Sequence, residues 1–147
     1  MRRVLIVDDH PAVRAGMREL ILSEWPLAEV LEAPTLGRGL ALGRSRRPDL
    51  LVLDLALPDA AGVASGTEGV TRVRCQLAGV PILVITGEAE RIEAARLLAM
   101  GVAGYLPRAQ RALELLPALR RMMAGGRFVT AGLAQRFPGL LVDLNRR

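Results

Sequence analysis

Residues 49–62 read DLLVLDLALPDAAG, and the run of apolar letters around Asp54 decides how the rest of the chain is read. Leu50 to Leu55 has the length of one strand and does not alternate, which is the pattern of a parallel strand covered on both faces. Three further runs share that character: Val4 to Val7, Pro81 to Thr86 and Val102 to Leu106. A weaker one, Ala28 to Ala33, alternates Val30 with Glu32 and suits an outer strand.

Helical patterns lie between these runs. Pro11 stands well at a first helical position, and Val13, Met17, Leu20 and Ile21 then repeat at helical spacing. Thr35 caps a helix carrying Leu36 and Leu40, softened by Gly37, Gly39 and Gly43. A third pattern covers Val70 to Leu77, and a fourth carries Ile92, Ala95 and Ala99 and ends near Gly101. The last stripe is Ala112, Leu115, Leu116, Leu119 and Met123, with Pro117 set to kink or split it. Strand and helix alternate about five times. With right-handed crossovers the expectation is an α/β fold: a doubly wound, five-stranded parallel sheet with helices on both faces. Residues 59–69 read as a loop, and Gly125-Gly126 as the close of the compact part.

The chain has 147 residues, 51 % hydrophobic and 24 % charged, which excludes a disordered chain. No apolar run reaches membrane-span length, and Arg2 and Arg3 precede too few apolar residues for a signal peptide. One cysteine, Cys75, rules out an internal disulfide and fits a reducing cytoplasm. Aromatics at 3 % argue against a base-stacking surface. All 20 basic residues are Arg, but they are spread along the chain. Direct nucleic-acid binding by this chain is therefore not expected.

In an open α/β sheet, ligands bind beyond the carboxyl ends of the strands. Asp8 and Asp9 follow the first run, Asp54 lies near the end of the third, Thr86 ends the fourth, and Arg108 stands just past the fifth. Taken singly, each has an ordinary explanation as a turn, cap or solvated residue. Together they bring three carboxylates, a hydroxyl and a cation to one rim. Hard oxygen ligands without His or Cys among them suit Mg²⁺ (or Mn²⁺), whose shell is shared with phosphate oxygens. The set is built for a phosphoryl group on Asp54.

Four motifs in order now carry a family resemblance. VLIVDDHPAVRAGMREL (4–20), DLLVLDLALPDAAG (49–62), VPILVITG (80–87) and GVAGYLPR (101–108) resemble the receiver domain of two-component response regulators, in the LuxR-type subgroup. The resemblance covers roughly residues 3 to 124 and implies a flavodoxin-like fold. It makes Asp54 the phosphoacceptor, with Pro58 and Gly62 completing its spacing. Asp8, Asp9 and Asp54 become metal ligands together with the backbone carbonyl of Ala56. Thr86 becomes the switch hydroxyl, Tyr105 the aromatic coupled to it, and Arg108 the phosphate-binding cation. His10 is read as opening the first helix rather than as a phosphate relay, and Cys75 as an ordinary third-helix residue.

Three departures stand out. Arg108, preceded by Pro107, replaces the family's lysine. The segment 64–69 lengthens the loop after Asp54. Residues 125–137 resemble a linker to a DNA-binding domain, yet only ten residues follow. The expected division is therefore a receiver at 1–124 and an extension at 125–147. The implied function is Mg²⁺-dependent acceptance of a phosphoryl group from a sensor histidine kinase or phosphotransfer protein, in the cytoplasm. It is a switch, not a multi-turnover enzyme, and serves transcription regulation. The alternative is a pseudo-receiver, an interaction module that keeps the fold without the phospho-switch. A reversible homodimer is expected through the helix at 88–100, the fifth strand and the last helix, a face carrying Glu90, Arg91, Arg111 and Arg121.

Overall fold

Among the described residues, five of six strands follow one after another with a helix between: β1 (Arg3–Val7), α1 (Pro11–Glu24), β2 (Glu29–Ala33), α2 (Leu36–Arg46), β3 (Leu50–Asp54), α3 (Gly66–Gln76), β4 (Ile82–Thr86), α4 (Arg91–Ala99) and β5 (Gly104–Pro107). A 3₁₀ turn (Arg108–Gln110), α5 (Arg111–Met123), β6 (Phe128–Val129) and α6 (Ala131–Arg136) follow. This computed structural model describes residues 1–58, 66–87, 91–136 and 139, and only the backbone of Arg91. The loop expected at 59–69 falls outside the described residues as far as 65, Gly62 included. So do residues 88–90, the expected start of the fourth helix.

All the strand pairs are parallel, in the order β2-β1-β3-β4-β5-β6. The sheet reverses direction of growth at β1, so β1 and β3 flank the switch point where such folds place ligands. Side chains alternate along each strand, and the two parities feed two cores. Val4, Ile6, Leu50, Val52, Leu83, Ile85 and Leu106 pack on Met17 and Ile21 of α1 and on Leu115, Ala118, Leu119 and Met122 of α5. Leu5, Val7, Leu51, Leu53, Ile82, Val84 and Tyr105 pack on Leu36, Leu40, Val70, Val73, Ala94 and Leu97 of α2, α3 and α4. That is the doubly wound, flavodoxin-like architecture.

One expectation is corrected: the sheet has six strands, not five. β6 adds Phe128 and Val129 beside Gly104 and Tyr105. The two residues of β6 are too few to show any period, so only tertiary context makes them a strand. Phe128 packs on the α1/α5 core, while Val129, Leu133 and Ala134 join the other. The Arg127 guanidinium ties the segment down through the carbonyls of Leu98 (2.6 Å) and Val102 (2.9 Å). The turn into β6 uses Gly125 at φ +83, with Gly126 N–H bonded back to the Arg121 carbonyl. This left-handed helix stop favours glycine.

Pro117 neither ends nor splits α5, which runs through it as one helix. The missing donor removes one helical bond, and the buried stripe Leu115, Ala118, Leu119 and Met122 outweighs it. Pro107 ends β5 beyond the two residues that pair with β6, so its missing N–H interrupts no outer ladder. Among the described residues, no helix is long and apolar enough to cross a membrane.

Candidate functional site

Asp8 continues β1 and Asp54 ends β3, two neighbouring strands in register at Val7 and Leu53. Both share the strand parity of the α1/α5 face, and both are 2 % exposed. Two buried carboxylates so close repel each other unless donors or cations reach them. Those donors are present. Asp8 Oδ1 accepts the backbone N–H of His10 at 2.8 Å, and the His10 imidazole Nδ1 lies 3.1 Å away. Asp9, more exposed, places its Oδ1 3.0 Å from the same Nδ1. Asp54 Oδ1 accepts the backbone N–H of Ala56 at 3.0 Å and Nη2 of Arg108, also at 3.0 Å.

His10 occupies the N-cap of α1 without capping it through its side chain. Instead its ring faces the acidic pair, held at the rim by Pro11 at the first helical position. Arg14, one turn on, anchors the same corner: Nη1 donates to the Asp8 carbonyl at 2.6 Å and Nε to Glu32 at 3.1 Å. One ligand atom each from Asp8, Asp9, His10 and Asp54 lies within 4.8 Å of the others. This donor set fits a small divalent cation, being mostly hard carboxylate oxygen, and the added imidazole nitrogen tolerates Mn²⁺ as well as Mg²⁺. Ala56 sits in the turn directly after β3, beside Asp54.

Thr86 and Tyr105 belong to the opposite parity, the face of α4. Thr86 is 5 % exposed and its hydroxyl donates to Oε1 of Glu93 at 2.8 Å. The Tyr105 hydroxyl donates to the same oxygen at 2.6 Å, with its ring fully buried. The structure thus brings Asp8, Asp9, Asp54 and Arg108 into one cluster, and Thr86 and Tyr105 into a second centred on Glu93. Sequence reading missed two members. His10 reads in the sequence as a helix start, although its place beside the acidic pair is the available signal. Glu93 gave a fainter one: it opens the helix after β4, on the side to which the parity of Thr86 and Tyr105 points. Cys75 is exposed, which makes it a surface rather than a packing residue of α3.

Comparison with known proteins gives the family and the fold. A family model described as "Response regulator receiver domain" matches residues 4–120. The chain is 31 % identical over 141 residues to the methanol utilization control regulatory protein MoxX of Paracoccus denitrificans, covering 96 % of this chain and 62 % of that protein. It is 29 % identical over 136 residues to the response regulator UvrY of Escherichia coli (strain K12), covering 92 % and 61 %. The chain spans about three fifths of the length of these curated relatives. A LuxR-family two-component response regulator from Aurantimonas sp. SI85-9A1 superposes with a TM-score of 0.81 at 33 % identity, over 95 % of this chain and 97 % of that one. The isolated receiver domain of RcsB from Salmonella enterica serovar Typhimurium, solved with a phosphomimetic, shares the fold at a TM-score of 0.79 and 21 % identity, over 91 % and 96 %.

Proposed function

The chain belongs to the response regulator receiver domain family, and from that premise we propose that it accepts a phosphoryl group on Asp54 from a histidine kinase or phosphotransfer protein. The observation that carries the reading is the meeting of Asp8, Asp9 and Asp54 at the switch point, with Arg108 already on the acceptor carboxylate. An Asp54 carboxylate oxygen forms the bond to phosphorus as the donor's phosphorus–nitrogen bond breaks; the imidazole nitrogen leaves with that bonding pair, and the ring takes a proton from solvent. The Ala56 N–H and the Arg108 guanidinium fix the carboxylate, so little orientation is left to chance. After transfer the same guanidinium is in reach of the new phosphoryl oxygens, where an Arg pairs bidentately.

Asp8, Asp9 and Asp54, with the Ala56 carbonyl, would hold Mg²⁺ (or Mn²⁺). When bound, the cation supplies positive charge against the phosphoryl oxygens. Thr86 is the switch hydroxyl in this reading: once released from Glu93 it donates to the phosphoryl group. Tyr105 then gains room to move, and the face of α4, β5 and α5 changes shape. Residues 1–124 are the receiver in this reading and residues 125–147 its extension, of which β6 pairs with the sheet edge. The setting is cytoplasmic, and the output serves transcription regulation.

Beryllofluoride, a phosphoryl mimic, tests the reading. With Mg²⁺ it should give a bound ¹⁹F signal on this chain that disappears with chelator and in Asp54→Asn. No bound signal under saturating Mg²⁺ would reject it. One observation favours a second reading, the phosphorylation-independent interaction module: the Arg108–Asp54 ion pair at 3.0 Å occupies the acceptor before any phosphoryl group arrives.

A further inference from the structure

Glu93 has no part in accepting a phosphoryl group, yet both switch hydroxyls end on one of its oxygens. Thr86 donates to Oε1 at 2.8 Å and Tyr105 donates to the same atom at 2.6 Å. An acidic residue in the first turn of α4 needs no special reason, because a helix N-terminus favours negative charge. That preference does not explain why two side chains from adjacent strands converge on one carboxylate oxygen. We infer that Glu93 is a latch: a positioning residue that holds the Thr86 and Tyr105 hydroxyls on the α4 side and competes with the phosphoryl group for Thr86.

The competition is one of proton count. A threonine hydroxyl has one proton to donate, and here it points at Glu93. A phosphoryl oxygen on Asp54 requires the same proton, so the two bonds exclude each other. Both acceptors are anionic and both bonds are charge-assisted, which makes the exchange close to balanced and therefore sensitive to either side. A carboxylate accepts several donors at once. Glu93 therefore holds both hydroxyls at once, and each must leave it before its residue can move. Tyr105 is fully buried, and a buried phenol hydroxyl needs such a partner. The two switch residues are thus linked through a single atom, and the latch sets how much phosphoryl occupancy is needed to move them.

This inference rests on the phosphoacceptor reading of Asp54 and Thr86, so its test uses two readouts. Tyr105 is the chain's one tyrosine; labelling with 3-fluorotyrosine gives a single ¹⁹F resonance that reports the hydroxyl's surroundings without any phosphoryl group. Glu93→Ala should shift that resonance in the unliganded 147-residue chain and tighten Mg²⁺–beryllofluoride binding about tenfold, the size expected from releasing one hydrogen bond to a charged group. Glu93→Gln keeps the shape with a neutral acceptor and should move both readouts in the same direction by less, which covers any folding defect in the alanine variant. Glu68→Gln, an exposed acid on α3, should move neither. An unshifted fluorotyrosine resonance, or beryllofluoride affinity unchanged or weakened in both Glu93 variants, overturns the latch. If no variant binds beryllofluoride, the phosphoacceptor reading fails on its own, and the fluorotyrosine shift alone decides whether Glu93 holds Tyr105.

Discussion

A guanidinium and an ammonium carry the same charge, but at position 108 they do different work. Arg108 reaches Asp54 Oδ1 at 3.0 Å while about two-fifths of its side chain remains exposed (39 %). Its planar fork suits holding a carboxylate as well as a phosphate, whereas a lysine is a compact charge on a flexible stem. Arg108→Lys should therefore loosen the acceptor and raise the rate of labelling by acetyl phosphate several-fold, as followed by intact mass. A phosphorylation-independent interaction module would show no gain. At this scale the sequence disclosed the residue types well, since Asp8, Asp9, Asp54 and Arg108 fall at successive strand ends. What it did not disclose were pairings set by side-chain direction. His10 turning onto Asp8 and Asp9 depends on a rotamer, and Glu93 meeting Thr86 and Tyr105 depends on how α4 docks.

Glycine placement shows what elements demand of one another. In α2, a Cβ on Gly39 would stand 2.7 Å from Val7 Cγ2, on a stiff β-branched side chain of a central strand. The helix lies so close to the sheet that its weak propensity is the cost of contact. Gly39→Ala should lose stability by about 1–3 kcal/mol through overpacking, despite the helix-propensity gain. Gly16, in the middle of α1, meets nothing within 4 Å, so Gly16→Ala should gain about 0.5–1 kcal/mol. Urea denaturation of both variants measures the contrast, and equal effects of the same sign would contradict this packing. A second element-scale contact clasps α1 to α5: Arg120 Nε lies 2.6 Å from Glu24 Oε2. That hydrogen-bonded guanidinium holds the Glu24 carboxyl below its ordinary value of 4.5. Its folded value being depressed, the pair's contribution is whole above the ordinary value and is lost as pH falls through the lowered one. The stability gap between the parent and Glu24→Gln should therefore be present at neutral pH and close in acid; a gap that persists at about pH 2 would contradict the assignment. Sequence periodicity found the helices on either side of these contacts, but spacing alone cannot tell a glycine kept for closeness from one that is merely tolerated.

For the whole molecule, the order of strands and the two-faced core were readable because four buried runs lacked alternation and helices stood between them. The sixth strand was not readable, since β6 exists only where Ala103, Gly104 and Tyr105 offer it an edge. The output surface follows from the same layout. Ile92 on α4 and Leu113 on α5 are 72 % and 81 % exposed, which leaves apolar area on the side that Thr86 and Tyr105 would move. Of the residues expected on that face, Glu90 and the side chain of Arg91 lie outside the described residues. We expect weak homodimerisation there, strengthened by beryllofluoride and reduced by Ile92→Asp, but not by Leu27→Asp in the turn between α1 and β2. Sedimentation velocity across a concentration series reads it, and a coefficient unmoved by beryllofluoride would contradict it. All of this depends on Asp54 taking the phosphoryl group. The most direct measurement is intact mass after incubation with acetyl phosphate and Mg²⁺. The account predicts one phosphoryl increment on the parent chain, absent with chelator and absent in Asp54→Asn. A parent mass left unmodified, or an increment that survives in Asp54→Asn, would contradict it.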